Sequence, residues 1–148
     1  MTKPPLPTDR QVWMGLLARA TPARLAALFP GLVPHDLLRP PQIGAVMVRG
    51  RSGGTGQPFN LGEMTVTRCA LRLACGTVGH AHVQGRSKDH ATRAAMLDAL
   101  MQGNQAENLR ATVLNPLLAE EAARRHARAT KAAATKVEFF TLVRGEDQ

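Results

Sequence analysis

Alternating polar and apolar positions between residues 63 and 84 predict two β-strands joined by a turn at Cys75-Gly76. The first strand, over 63–73, has one face made of small and apolar residues: Thr65, Thr67, Cys69, Leu71 and Leu73. Its other face includes two arginines and consists of Met64, Val66, Arg68, Ala70 and Arg72. The second strand, over 77–84, returns to form an antiparallel hairpin and has four residues on a common face: Val78, His80, His82 and Gln84.

The N-terminal part of the chain has helical rather than strand periodicity. It predicts a helix from position 8 or 9 to about 20 and a second helix over 21–29. The stripe of the first helix is apolar: Val12, Trp13, Leu16 and Leu17. Residues 34–38 are expected to add one more helical turn, and Pro40-Pro41 to break the chain before a strand over 43–49.

The C-terminal part is also mainly helical. Ser87 is a suitable N-cap for a helix over 88–102, which is rich in strong helix formers. Residues 108–115 fit either a strand or a helical turn, and Pro116 can open a further helix to about 135. Residues 137–143 predict a last strand.

Strands in the middle of the chain with helices on both sides predict an α+β fold. We expect a single domain over residues 1–148, with a flexible tail at 1–7. In it, a mostly antiparallel sheet of three to five strands packs against helices from the N- and C-terminal parts. The glycine-rich loop and hairpin, residues 49–90, lie at its centre.

The loop at 49–57 holds four glycines within seven residues. Such a loop can adopt positive φ angles, and its successive N–H groups can form an anion-binding concavity. Arg49 and Arg51 would add bidentate donors for a phosphate or phosphonate. The loop has neither the Gly-Lys-Ser/Thr ending of a P-loop nor the dinucleotide spacing. It therefore predicts either an anion site or an ordinary flexible hairpin turn.

A second basic segment opens the helix that Ser87 caps. The free N–H groups and dipole of a helix N-terminus favour an anion, and Arg86, Lys88 and His90 would strengthen this preference. The alternative is a capped helix whose basic side chains face water.

His80 and His82 are two residues apart and would project from one face of a strand. A zinc ion requires three or four ligands, and the local candidates for a third are Cys69, Cys75 and His90. Because spacing alone does not supply that ligand, the sequence favours two histidines on a solvated or interface face, with no metal.

The formal net charge of +8 favours anionic partners, while an aromatic content of 3% offers few platforms for stacking nucleic-acid bases. No apolar run is long enough to span a membrane, and the start lacks the apolar segment of a signal peptide. We therefore expect a cytoplasmic protein in which Cys69 and Cys75 are free thiols, with pairing across the hairpin as the alternative.

Several short motifs occur in order over nearly the whole chain: Arg10-Gln11-Val12-Trp13-Met14, Arg51-Ser52-Gly53-Gly54-Thr55-Gly56, Val66-Thr67-Arg68, Val83-Gln84-Gly85-Arg86, His90, Asp98-Ala99-Leu100-Met101-Gln102 and Val137-Glu138-Phe139-Phe140-Thr141-Leu142-Val143-Arg144-Gly145. Together they resemble the G subunit of the bacterial carbon–phosphorus lyase core complex, the PhnG family. The chain departs from that family at His80 and His82, where members tend to have aromatic residues, and this argues further against a metal.

The resemblance implies a role in organic phosphonate catabolism. The complex is implicated in forming α-D-ribose 1-methylphosphonate 5-triphosphate from ATP and methylphosphonate with release of adenine. Partners would be the H, I and J subunits, with I and J the direct contacts and no membrane or nucleic acid involved. The I subunit carries nucleosidase chemistry. The J subunit holds an iron–sulfur cluster and S-adenosylmethionine, so this chain is expected to have no cofactor of its own.

On this interpretation the chain supports assembly and an anion site, with no catalytic residue and no metal. The residues expected to bind substrate or anion are Arg49, Arg51, Gly53, Gly54, Thr55, Gly56, Arg68, Gln84, Gly85, Arg86 and His90.

Two other functions fit the residues less well. One is a stand-alone anion-binding enzyme that uses His80, His82 or His90 as a general base. The other is a small basic module that binds nucleic acid without reading its sequence.

Overall fold

A computed structural model describes residues 9–136 of the chain. Three strands form one antiparallel sheet in the order β1-β2-β3: His35–Arg51, Pro58–Leu73 and Val78–Gln84. Helices precede and follow the strands: α1 Asp9–Arg19, α2 Pro22–Leu28, α3 Lys88–Leu100, α4 Ala106–Leu109 and α5 Asn115–Ala134. A π-helical segment, Arg110–Leu114, joins α4 to α5. The predicted α+β class with a mostly antiparallel sheet is confirmed.

The prediction of a helical turn over residues 34–38 is wrong, as is the break at Pro40-Pro41. β1 begins at His35 and pairs with β2 along its length. The prolines fall where the register shifts between Arg39 and Gln42. A register shift on an edge strand tolerates residues that lack a backbone N–H donor, so the strand continues through them.

Both long strands extend beyond their predicted bounds, since β1 runs on to Arg51 and β2 begins at Pro58 and not at position 63, whereas other boundaries lie close to those predicted. The helix over 88–102, the Cys75-Gly76 turn and the hairpin of β2 with β3 are all present. Residues 108–115 adopt the helical alternative. The strand predicted over 137–143 lies outside the described residues.

The core lies between one face of the sheet and the helices. Leu71 and Val83 from the sheet pack in the same cluster as Leu17 of α1 and Leu97 of α3. Gly79 allows β3 to approach α3 closely, because a Cβ atom at this position would overlap the Ala95 carbonyl oxygen and lie 2.7 Å from the backbone nitrogen of Ala99. The alanine-rich face of α3 therefore lies directly against the strand.

A buried carboxylate joins α1, α3 and β3. Asp98 is 0% exposed and accepts two hydrogen bonds from Arg10, from Nε at 3.1 Å and from Nη2 at 2.7 Å. It also accepts the indole N–H of Trp13 at 3.0 Å and the backbone N–H of His80 at 2.9 Å. Gln102 adds a bond from Nε2 to the Val78 carbonyl at 2.9 Å. Four of these residues, Arg10, Trp13, Asp98 and Gln102, fall in the Arg10–Met14 and Asp98–Gln102 motifs, and their bonds hold the elements together.

The contacts divide the described residues into two units, 9–118 and 119–136. The first contains the sheet and the helices through the start of α5. In the second, Arg125 pairs with Glu121 one helical turn away, with 2.8 Å between Nη2 and Oε1. Within residues 9–136, no helix combines the length and apolar character needed to cross a bilayer.

Candidate anion-binding and interaction surfaces

The sheet face opposite the core carries basic and polar side chains in cross-strand rows. One row places Gln42, Arg68 and His82 opposite one another, and the next places Arg39, Ala70 and His80. A third row contains Asp36, Arg72 and Val78. The alternation predicted for β2 and β3 is confirmed, since the arginines and histidines are exposed and the residues between them face the core.

A shallow depression of about 380 Å³ crosses the middle of this face. Its lining includes residues of all three strands: Leu38, Arg39, Arg68, Ala70, His80 and His82. No carboxylate is among the described residues that line it. Sequence reasoning missed Arg39 because the chain around it was predicted to be a helical turn followed by a break. The sequence does contain one signal for Arg39, namely a cationic residue directly before two prolines, where the backbone tends to be extended.

The arginines of this face differ in their pairing. Arg72 forms an ion pair with Asp36 across the strands, with 3.5 Å between Nη2 and Oδ2. Arg68 lies over Gly44, where an added Cβ would be 3.2 Å from its Nη2 atom. Within the described part of the chain, neither Arg39 nor Arg68 forms an ion pair. Two uncompensated positive charges therefore border the depression.

The glycine-rich loop lies elsewhere, at the tip of the β1–β2 hairpin. Gly53 and Gly54 have φ angles of 59° and 82° in a short 3₁₀ turn. Arg51 donates from Nη1 to the Gly56 carbonyl at 3.2 Å, so this guanidinium braces the loop. Arg68 lies ten positions along β2 from Pro58, the partner of Arg51, which is roughly 33 Å along an extended strand. The loop and the sheet face are thus two separate places.

The hairpin between these two places extends beyond β3 as a two-stranded arm, defined here as residues 45–65. Pairing of β2 with β3 begins at Val66, opposite Gln84, so the preceding part of β2 pairs only with β1. Three large apolar side chains of the arm are exposed: Met47 at 52%, Phe59 at 46% and Leu61 at 66%. Arg49 and Arg51 are also exposed near the tip. Within the described residues, no helix covers these three side chains.

The turn from β3 into α3 holds the remaining basic site. Gly85 has a φ of 89°, donates its N–H to the Thr65 carbonyl at 2.9 Å and accepts the Thr67 hydroxyl at 2.8 Å. Ser87 caps α3 by accepting the His90 N–H at 3.2 Å, as predicted. Arg86 is exposed beside this cap.

His90 occupies the core and not the surface of the turn. Its side chain is 1% exposed, and Nε2 lies 2.8 Å from the Leu17 carbonyl oxygen. Burial lowers the pKa of His90, and the bond to the Leu17 carbonyl opposes that shift in part. His90 is therefore buried, whereas Arg86, Arg49 and Arg51 are exposed.

The structure brings no metal-ligand set to His80 and His82. Among residues 9–136, no group of three or more histidine, cysteine or acidic side chains is placed to hold a metal ion. Cys69 is buried as a free thiol, and burial raises its pKa. Cys75 is an exposed free thiol whose Sγ lies 3.3 Å from the Thr77 hydroxyl.

Comparison with known proteins agrees with the motifs. Residues 8–145 match the family described as phosphonate metabolism protein PhnG. A protein of Rhizobium meliloti (strain 1021), named alpha-D-ribose 1-methylphosphonate 5-triphosphate synthase subunit PhnG, is 45% identical over 146 residues. That alignment covers 94% of this chain and 91% of the relative. The chain therefore belongs to the PhnG family of phosphonate metabolism proteins.

Proposed function

We propose that this chain is a subunit of an α-D-ribose 1-methylphosphonate 5-triphosphate synthase, acting in phosphonate catabolism within a larger complex. It has no catalytic centre of its own and contributes to assembly and to an anion site. The partners are the H, I and J subunits of the carbon–phosphorus lyase core complex, with I and J in direct contact. ATP is a substrate of the complex, an iron–sulfur cluster and S-adenosylmethionine belong to J, and the complex is cytoplasmic.

The exposed arm is the observation that carries the assembly role. A two-stranded ribbon is at best marginally stable in water when nothing covers it. Here the ribbon exposes Met47, Phe59 and Leu61 while the core of the same chain is well packed. Docking against another subunit would remove this apolar area from water and fix the ribbon. The outer edge of β1 also offers backbone donors and acceptors to a partner strand.

The anion-supporting role uses the residues predicted from the sequence, which now fall into three groups. The loop at the arm tip contributes Arg49, Arg51, Gly53, Gly54, Thr55 and Gly56. The sheet face contributes Arg68 and Gln84, and the turn into α3 contributes Gly85 and Arg86. His90 is outside these groups because its ring is committed to the core. Since the loop is remote from the sheet face, each group would act at a different place in the complex.

Co-expression with the H, I and J subunits tests this function. A tag on this chain should recover those subunits in stoichiometric amounts, and mass measurement of the intact assembly should give a fixed composition. Recovery of the chain alone would contradict the proposal. In that case turnover of a phosphorylated substrate by the isolated chain would favour the stand-alone enzyme, and salt-dependent binding of duplex DNA would favour the nucleic-acid module.

A further inference from the structure

We propose that the depression on the outer sheet face binds a small organic phosphate, with Arg39 and Arg68 holding the anionic group and His80 and His82 completing the site. The inference deepens the anion-supporting part of the proposed function and rests on it. It assigns the sheet-face group to one binding site, adds three residues to Arg68, and names the ligand class.

Two positive charges without an ionic partner among residues 9–136 border the depression. Arg39 and Arg68 lie on adjacent strands, one cross-strand row apart, so their Cα atoms are about 8 Å from each other for strands spaced about 4.8 Å with a rise of about 3.3 Å per residue. Side chains of this length can converge on one group above Ala70. The neighbouring Arg72 is neutralised by Asp36, whereas Arg39 and Arg68 have no such partner among residues 9–136. A phosphate would supply the missing negative charge through bidentate contacts.

The histidines provide hydrogen-bond donors from the other side of the depression. His82 lies directly opposite Arg68, and His80 lies opposite Ala70. Both imidazoles are exposed and line the same depression. A neutral imidazole keeps one N–H donor, so each can contact a phosphate oxygen without first gaining a proton.

The floor of the depression favours an organic phosphate over the inorganic ion. Leu38 and Ala70 contribute apolar surface beside the charged groups. The volume of about 380 Å³ lies at the small end of the range for ligand pockets. A compact apolar substituent on the phosphate would cover this floor while the oxygens meet the arginines.

Anchored backbone keeps the histidines in place. The N–H of His80 is fixed by Asp98, and Gly79 packs directly against α3. The site therefore lies on a supported part of the sheet, at the base of the arm and not on its tip. Such support limits the conformational entropy lost on binding.

The site is tested by titrating the full chain with phenyl phosphate and with inorganic phosphate at fixed ionic strength. Binding is monitored by ¹H–¹³C NMR of the histidine rings. We expect saturable shifts at His80 and His82 and tighter binding of phenyl phosphate. Arg39→Gln and Arg68→Gln should each weaken binding about tenfold, the loss of a charge-assisted hydrogen bond. Arg124→Gln, an exposed arginine of α5 with the same change of charge, should leave binding unchanged.

Three results would overturn the inference. Non-saturating shifts, or equal weakening by Arg124→Gln, would show general attraction to a basic protein. No binding by a chain that still recovers its partner subunits would remove the small-anion site and leave the complex intact. No binding together with loss of partner recovery in Arg68→Gln would assign the arginines to an acidic surface of a partner subunit.

Discussion

His80 donates its backbone N–H to the buried carboxylate of Asp98 over 2.9 Å, while its imidazole lies on the opposite, exposed face of the sheet. His80 thus links the hydrogen-bond network around Asp98 with the sheet face on which Arg39 and Arg68 lie. The two roles use different atoms, so they can be separated by mutation. Changes at Asp98 should act on stability, and changes at the exposed side chains should act on binding.

Asp98→Ala should destabilise the chain by about 2–4 kcal/mol, because it leaves the Trp13 indole and the His80 N–H without their acceptor in the interior. Urea unfolding measures the loss. Asp89→Ala is the matched control, since its carboxylate is 74% exposed and 3.6 Å from Arg93, a pair worth less than about 1 kcal/mol. Similar small losses for the two variants would show that the Asp98 network contributes little.

Gly79→Ala should destabilise the chain by about 3 kcal/mol or more, because the new methyl group would overlap the Ala95 carbonyl and force β3 away from α3. Gly62→Ala is the control on the arm, where no heavy atom lies within 4 Å of the added Cβ. Its effect should stay within about 1 kcal/mol. Thermal melts of both variants check the difference, and equal melting temperatures would contradict the close packing of β3 on α3.

Stability should fall in mild acid through His90. Burial lowers the pKa of this imidazole below its ordinary value of 6.5, so the unfolded chain takes up a proton more readily than the folded chain. The contribution is therefore fully present above about pH 6.5 and is lost progressively as the pH falls from there toward the folded-state pKa.

Urea unfolding at pH 7.5 and 5.0 measures this dependence. His90→Gln should reduce the difference in unfolding free energy between the two pH values, whereas His126→Gln, at an exposed position of α5, should preserve it. An unchanged difference in His90→Gln would assign the acid sensitivity to other groups.

Local periodicity accounts for what the sequence predicts well. The two faces of β2 and β3 follow from strict alternation, and the α3 cap follows from Ser87 at the position before a helical run. Arg39 was missed because Pro40-Pro41 predicts a break in the local sequence, whereas pairing with β2 keeps this segment in a strand. His90 was expected to face an anion at the N-terminus of α3. Its burial could not be read locally, because its ring contacts the Leu17 carbonyl, which is distant in the sequence.

Leu61→Asp probes whether the exposed arm docks onto partner subunits. Leu61 is 66% exposed, so the variant should fold with a nearly unchanged melting temperature. In a tagged co-expression with the H, I and J subunits, it should lose most of the partner recovery seen with the wild-type chain. Leu32→Asp, the same change at a residue that is 42% exposed outside the arm, should retain it. Full recovery of the partners by Leu61→Asp, with the fold intact, would show that the arm does not dock onto them.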